Sequence, residues 1–158
     1  MRYVIGHKGA RSPSPRVAAQ RTREAELGLQ DPKTYVELRR RIERSRDALL
    51  KLLRETKAAG KRVVGYAATS KSTTVTNYCG IGPELVEFIS DTTPLKQGRY
   101  SPGTHIPVRA YDEFKKAYPD YALLFGWNHA TEIMAKEQAF HAAGGKWIVY
   151  VPEVKVIE

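Results

Sequence analysis

The stretch Arg62–Gly82, RVVGYAATSKSTTVTNYCGIG, decides the fold. Val63, Val64, Tyr66 and Ala67 make a short apolar run, as in a parallel strand buried on both faces. Thr69 to Thr74 then crowd hydroxyls around Lys71, and from about Thr73 to Tyr78 the chain suits a helix. A loop that opens a helix gathers free backbone N–H groups at the positive end of the macrodipole. With hydroxyls and a lysine added, the natural ligand is a phosphate or another anion. The plainer alternative is a crossover whose Ser and Thr only cap the helix. Gly65, Ser70, Lys71 and Ser72 come within one residue of the nucleotide phosphate-loop pattern. However, the glycine before the lysine is missing, and no apolar strand ends in a metal-binding Asp. A nucleotide triphosphatase is therefore not expected.

Downstream, strands and helices alternate. Leu85 to Ser90 reads as a second strand, ended by Asp91, and Thr92 to Thr104 as a loop with Pro94, Gly98, Pro102 and Gly103. Ile106 to Val108, Tyr121 to Phe125 and Trp147 to Val151 read as three more strands, with helices at Tyr111 to Tyr118 and Ala130 to Ala143, the latter closed by Gly144-Gly145. This alternation predicts an α/β fold with a parallel five-stranded sheet over 61–158.

Upstream the composition changes. Residues 1–60 hold 15 Lys and Arg against 7 Asp and Glu, a net of +8 in a chain of net +9. Tyr3 to Ile5 looks like a strand without a sheet, Lys8 to Arg16 is a Pro- and Ser-rich loop, and Arg16 to Leu29 suits a short polar helix. Residues 1–30 are thus expected as a strand and linker. Asp31-Pro32 is a helix start, with Asp as N-cap and Pro at the first helical position. From there a helix is expected to Ala59, stopping at Gly60, with Tyr35, Leu38, Ile42, Leu49, Leu52 and Leu53 on one stripe and Ser45 in the gap. At 1.5 Å per residue this 31–60 segment is roughly 40 Å long, more than one small sheet covers, so part of the stripe should meet another element or chain. A homodimer through this helix is one expectation. Arg39, Arg40, Arg41, Arg44 and Arg46 lie mainly off the stripe; such runs usually form a solvated face, and nucleic acid is not the expected partner.

The 158 residues suit one domain with a real core. No apolar run approaches 18 residues and no apolar leader opens the chain, so a cytoplasmic protein without a membrane span is expected. The single cysteine, Cys79, excludes an internal disulfide and a cysteine-rich zinc site, and the four histidines share no metal-ligand spacing, so no metal is expected.

In parallel sheets, ligands bind at the carboxyl ends of the strands. The lysine loop, the Lys96–His105 loop, Trp127-Asn128-His129 and Glu153 all follow strands and should converge there. Lys71, Lys96 and Arg99, without evident acidic partners nearby, suit a diphosphate or another dianion. Trp127 and Tyr100 offer flat faces for a base or sugar, and Asn128 a donor and an acceptor. His105 is a weak candidate for a general base; a loop histidine is more often a hydrogen-bonding residue. No GxGxxG follows the first strand, so a dinucleotide cofactor is not expected.

GYAATSKSTTVTNYCGIG, KQGRYSPGTHIPV, WN and GGKWIVYVPE, with RYVIGHKGA, SPSPRV and EAELGLQDPKTY upstream, resemble the C-terminal domain of the sugar C-methyltransferases over nearly the whole chain. These enzymes use S-adenosylmethionine to methylate a carbon of a nucleotide-linked deoxysugar. The resemblance implies a Rossmann-like three-layer domain that helps enclose the nucleotide-sugar, with Lys71, Ser72, Thr73, Asn77, Tyr78, Lys96, Gly98, Arg99, Gly103, Trp127 and Asn128 at the substrate. Ser72 departs from the glycine the family commonly carries after the lysine. The zinc region and the middle domain that binds S-adenosylmethionine have no counterpart here, and Tyr3 to Ile5 resembles the last strand of that middle domain. The resemblance therefore implies a split subunit or free-standing relative, inactive alone, that binds no cofactor by itself and works with a separate methyl-transfer chain. The alternative is a non-catalytic interaction module that docks through the long basic helix.

Overall fold

The computed structural model describes residues 4–158. The chain forms two compact units, one reaching to Ile42 and the other running from Glu43 to Glu158. The first contains α1 (Pro15–Glu26), which buries no residue, and the first turns of α2 (Pro32–Ala58). Asp31 caps α2 as its sequence implies: its Oδ1 accepts from the Lys33 N–H at 2.9 Å. The Tyr35 hydroxyl donates to the Leu29 carbonyl at 2.6 Å and fixes the connection between the helices. The expected N-terminal strand falls partly outside the described residues, at Tyr3; Val4 and Ile5 are exposed and belong to no strand.

The second unit is built on one sheet. β1 (Val63–Tyr66), β2 (Ile89–Asp91), β3 (Val108–Ala110), β4 (Tyr121–Leu124), β5 (Lys146–Val149) and β6 (Lys155–Ile157) run in the order β3-β2-β1-β4-β5-β6. That order is the one of doubly wound nucleotide-binding folds. β1 to β5 are parallel, and β6 pairs antiparallel with β5, Ile148 opposite Val156. The expected five-stranded parallel sheet is therefore corrected to six strands with an antiparallel edge. VKVIE had no strand signal strong enough to set it apart from a tail, because all three β6 residues are exposed. β2 and β3 also sit a few residues later than expected, since Leu85 and Val86 belong to a turn and bury their side chains from there.

Alternate residues of the strands face opposite ways and fill two cores. On one face Val63, Leu123, Phe125 and Ile148 pack with Leu49 and Leu53 of α2 and with Val75 and Cys79 of α3 (Ser70–Cys79). On the other, Val64, Leu124 and Val149 pack with Phe114 of α4 (Tyr111–Lys116), Ile133 and Met134 of α5 (Ala130–Lys136) and Phe140 of α6 (Gln138–Ala142). The result is three layers. Gly65 lies inside β1, where a Cβ would come within 2.7 Å of Phe125 and 2.9 Å of Ile89. It serves packing across the strand, which disposes of the phosphate-loop reading on structural grounds. Ser45, the gap in the α2 stripe, donates its hydroxyl to the Tyr150 carbonyl at 3.1 Å.

The single helix expected over Ala130 to Ala143 is two helices broken at Glu137. Glu137 is 2% exposed and accepts from the Tyr66 and Tyr111 hydroxyls, each at 2.8 Å. A carboxylate drawn inward to two phenols turns the backbone out of its helical path, a reason that periodicity does not reveal.

Candidate functional site

β1 ends in a strained turn. Ala67 has φ +72°, a left-handed conformation that costs a non-glycine residue about 1 kcal/mol or more. The turn directs the Ala68 N–H at the Asp91 Oδ2, 2.7 Å away at the end of β2. Asp91 is 7% exposed and also accepts from the Thr93 N–H at 2.8 Å and the Lys96 ammonium at 3.1 Å. Lys96 in turn donates to the Ala68 carbonyl at 2.7 Å. Burial works to raise the Asp91 carboxyl, but Thr93 and Lys96 outweigh it and hold the group below the usual range. The expectation of Lys96 as a cation without an acidic partner is thus corrected: its partner is Asp91. Its role in this geometry is to tie the β1 loop to the β2 loop.

α3 begins at Ser70, earlier than expected, because Thr69 caps it: the Thr69 Oγ1 and carbonyl both accept from the Ser72 N–H, at 3.3 and 3.0 Å. The buried Ser72 hydroxyl donates back to the Thr69 carbonyl at 2.6 Å. The Ser70 and Lys71 N–H groups find no partner among the described residues. Facing this helix start is the loop from the 3₁₀ turn Pro94–Lys96 to Val108. Asn77 anchors it, donating to the Pro102 carbonyl at 2.9 Å and to the Thr73 carbonyl at 2.8 Å. Gly103 has φ +81°, the left-handed conformation that favours glycine, and a Cβ there would also displace the Asn77 amide that anchors the loop.

Between helix start and loop lies a cavity of about 200 Å³ lined mainly by Thr69, Ser70, Ser72, Thr73, Lys96, Arg99, Tyr100 and Ser101. Four of the residues expected at the substrate therefore line it: Ser72, Thr73, Lys96 and Arg99. Lys71 sits at the same helix start without lining the cavity, and Asn77 and Gly103 hold the neighbouring loop without lining it either. Gly98 (φ +75°) turns the loop, its N–H donating to the Val108 carbonyl at 2.9 Å. Tyr78 lies at the far end of α3, under the Arg46 guanidinium 5.7 Å from its ring centre. Trp127 packs against the core shared with α2 and α3, and Asn128 is exposed on the turn after β4; neither lines the cavity. His105 is exposed at φ +55° with no side-chain bond among the described residues.

Ser101 is the residue the sequence did not single out. It is 4% exposed, lines the cavity, and its hydroxyl has no hydrogen-bond partner among the described residues. Nothing in SPGT distinguishes it from any turn serine. Asp91 did carry a signal, an acid directly after an apolar strand with a lysine five residues on. Among the described residues, no group of three or more His, Cys, Asp or Glu side chains could hold a metal, and no helix is long and apolar enough to cross a membrane.

The chain has a doubly wound α/β domain with a cavity bordered by cationic and hydroxyl side chains at the carboxyl ends of its strands, where sheets of this kind take their ligands. The comparisons with known proteins give its family. A family model described as the C-methyltransferase C-terminal domain matches residues 1–152. The chain is similar to the C-methyltransferase NovU of Streptomyces niveus, 41% identical over 143 residues, which is 90% of this chain and 34% of that enzyme. The chain belongs to the C-methyltransferase C-terminal domain family, and it spans about a third of the length of this curated relative.

Proposed function

We propose that this chain is the nucleotide-sugar-binding part of a sugar C-methyltransferase, acting on a nucleotide-linked deoxysugar together with a methyl-transfer domain held elsewhere. One observation carries the reading: a helix start with free N–H groups, the Arg99 guanidinium and the unpartnered Ser101 hydroxyl all border one cavity at the strand ends. Arg99 makes no side-chain bond or ion pair among the described residues and is available to a diphosphate. The family match supplies the class of reaction.

The residues here do not suit S-adenosylmethionine, the methyl donor that the family implies. An acid at the end of β2 is where such folds take a ribose, and Asp91 is already engaged by Ala68, Thr93 and Lys96. No catalytic step is assigned to residues 1–158. The exposed stripe on α2, with Tyr35 at 53%, Leu38 at 42% and Ile42 at 46% exposure, supports docking of the methyl-transfer domain on the basic N-terminal unit, which needs a partly acidic surface opposite. A second copy would bring like charges together, so a homodimer through this face is the weaker alternative.

Thermal unfolding of the full chain tests the reading. A thymidine diphospho-deoxysugar at a hundred times its dissociation constant should add about 2.7 kcal/mol, a shift of a few degrees, and S-adenosylmethionine should add nothing. A shift with S-adenosylmethionine and none with the nucleotide-sugar would contradict it.

A further inference from the structure

We infer that the cavity beside α3 recognises the diphosphate of its ligand and is indifferent to the base. The inference rests on the nucleotide-sugar reading and deepens it. The polar groups that converge on the cavity all suit a phosphoryl oxygen. Ser70, which lines the cavity, presents a free N–H group at the start of a ten-residue helix, with the free Lys71 N–H next to it in the chain. Arg99 supplies a guanidinium that no acidic side chain takes up among the described residues. Ser101, nine-tenths buried and more, lines the cavity and carries a hydroxyl with no hydrogen-bond partner among the described residues, a donor that a ligand oxygen would satisfy.

The groups that would read a base are elsewhere. No Asn, Gln, Asp or Glu side chain lines the cavity. Asn77, the nearest amide, directs its NH₂ to the Pro102 and Thr73 carbonyls. Asp91 is enclosed by its three donors. Trp127, the larger flat ring at the strand ends, packs into a core, and Tyr100 lines the cavity while 64% exposed. A stacked tyrosine face accepts any base. At about 200 Å³ the cavity is below the range of sites that enclose a drug-sized ligand, so it suits a diphosphate with the nucleoside projecting outward. Base choice in a complete enzyme would then come from another domain.

The test is calorimetric titration of the full chain with inorganic pyrophosphate, thymidine diphosphate, uridine diphosphate and adenosine diphosphate, with a deoxysugar nucleotide alongside. The expected result is dissociation constants for the three nucleotides within about threefold of one another, with pyrophosphate displacing each. Arg99→Gln should weaken all of them together by about tenfold or more, and Ser101→Ala by a few-fold, with unchanged melting temperature certifying the fold. A tenfold preference for one base, or nucleotide binding that pyrophosphate fails to displace, overturns the inference and leaves the nucleotide-sugar reading standing. No binding by any of these ligands, the deoxysugar nucleotide included, overturns both.

Discussion

The two halves of α2 carry the same apolar period and meet different fates. In the C-terminal half Leu49 and Leu53 are 1% and 0% exposed, seated in the core against Val63, Leu123 and Ile148. In the N-terminal half Tyr35, Leu38 and Ile42 remain roughly half exposed. Helix formation is common to both, because the Asp31 cap, Pro32 and the helix formers that follow act locally. Burial is not local: it is decided by whether a sheet lies opposite. The difference teaches that an amphipathic stripe reports a need for cover but not its source.

The sharpest way to break the comparison is alanine in each half. Leu53→Ala should lose about 2–5 kcal/mol of stability in urea denaturation, by lost transfer energy and the cavity left behind. Leu38→Ala should stay within about 0.5 kcal/mol, as surface changes do. Equal effects would mean that the N-terminal half is covered within the chain. Conversely, changing Tyr35, Leu38 and Ile42 to Ser together should leave the urea midpoint nearly unchanged. It should weaken a complex with a methyl-transfer domain by tenfold or more in a pull-down titration, if that face docks there.

The same contrast between engaged and open groups separates Asp91 from Arg99. Asp91→Ala strands the Ala68 and Thr93 N–H groups and should cost about 2–3 kcal/mol in thermal unfolding, whereas Arg99→Gln should cost almost none. The pH dependence follows from the same carboxyl. Its folded pKa is depressed, so it contributes stability above the ordinary Asp value of about 3.9 and loses that contribution as pH falls through the folded value. Asp120, lowered by the Arg62 N–H and the Lys61 ammonium, has the same sign. Melting temperature should therefore decline as pH drops below about 4, and Asp91→Asn should decline less.

A smaller effect is expected on the alkaline side. Burial first, and then the Glu137 carboxylate, hold the Tyr66 and Tyr111 phenols well above their ordinary value of about 10. Stability from these groups is present below that value and is lost as pH rises above it. Absorbance at 295 nm should show the two phenols un-ionised until the protein unfolds, and Glu137→Gln should bring Tyr111 into titration earlier. The smallest effect is expected at the strained turn, where Ala67→Gly should be neutral or stabilising by up to about 1 kcal/mol.

Much of the fold was legible. β1 is an apolar run buried on both faces, β4 and β5 are so after their first residues Tyr121 and Lys146, and the alternation with helices specifies the parallel layering. The missed features each depend on a partner distant in sequence. β6 is recognisable only because β5 offers an edge to pair with, and the break at Glu137 only because Tyr66 and Tyr111 stand opposite. In the candidate site, Thr69, Ser70, Ser72, Thr73 and Arg99 are readable from residue type and position after strands. In the sequence Lys96 looks like an open cation, because its partnership with Asp91 runs through a turn that spacing does not fix. Trp127 looks like a stacking surface in the sequence, because an aromatic after a strand looks the same whether it faces a ligand or a core.

The most direct measurement is calorimetric titration of the full chain with a thymidine diphospho-deoxysugar, for the natural sequence and for Arg99→Gln. A micromolar dissociation constant that weakens at least tenfold in the variant, with no change in melting temperature, is the expected result. Absence of binding, or identical binding by the two proteins, would contradict the claim that this chain holds a nucleotide-sugar through the cavity beside α3.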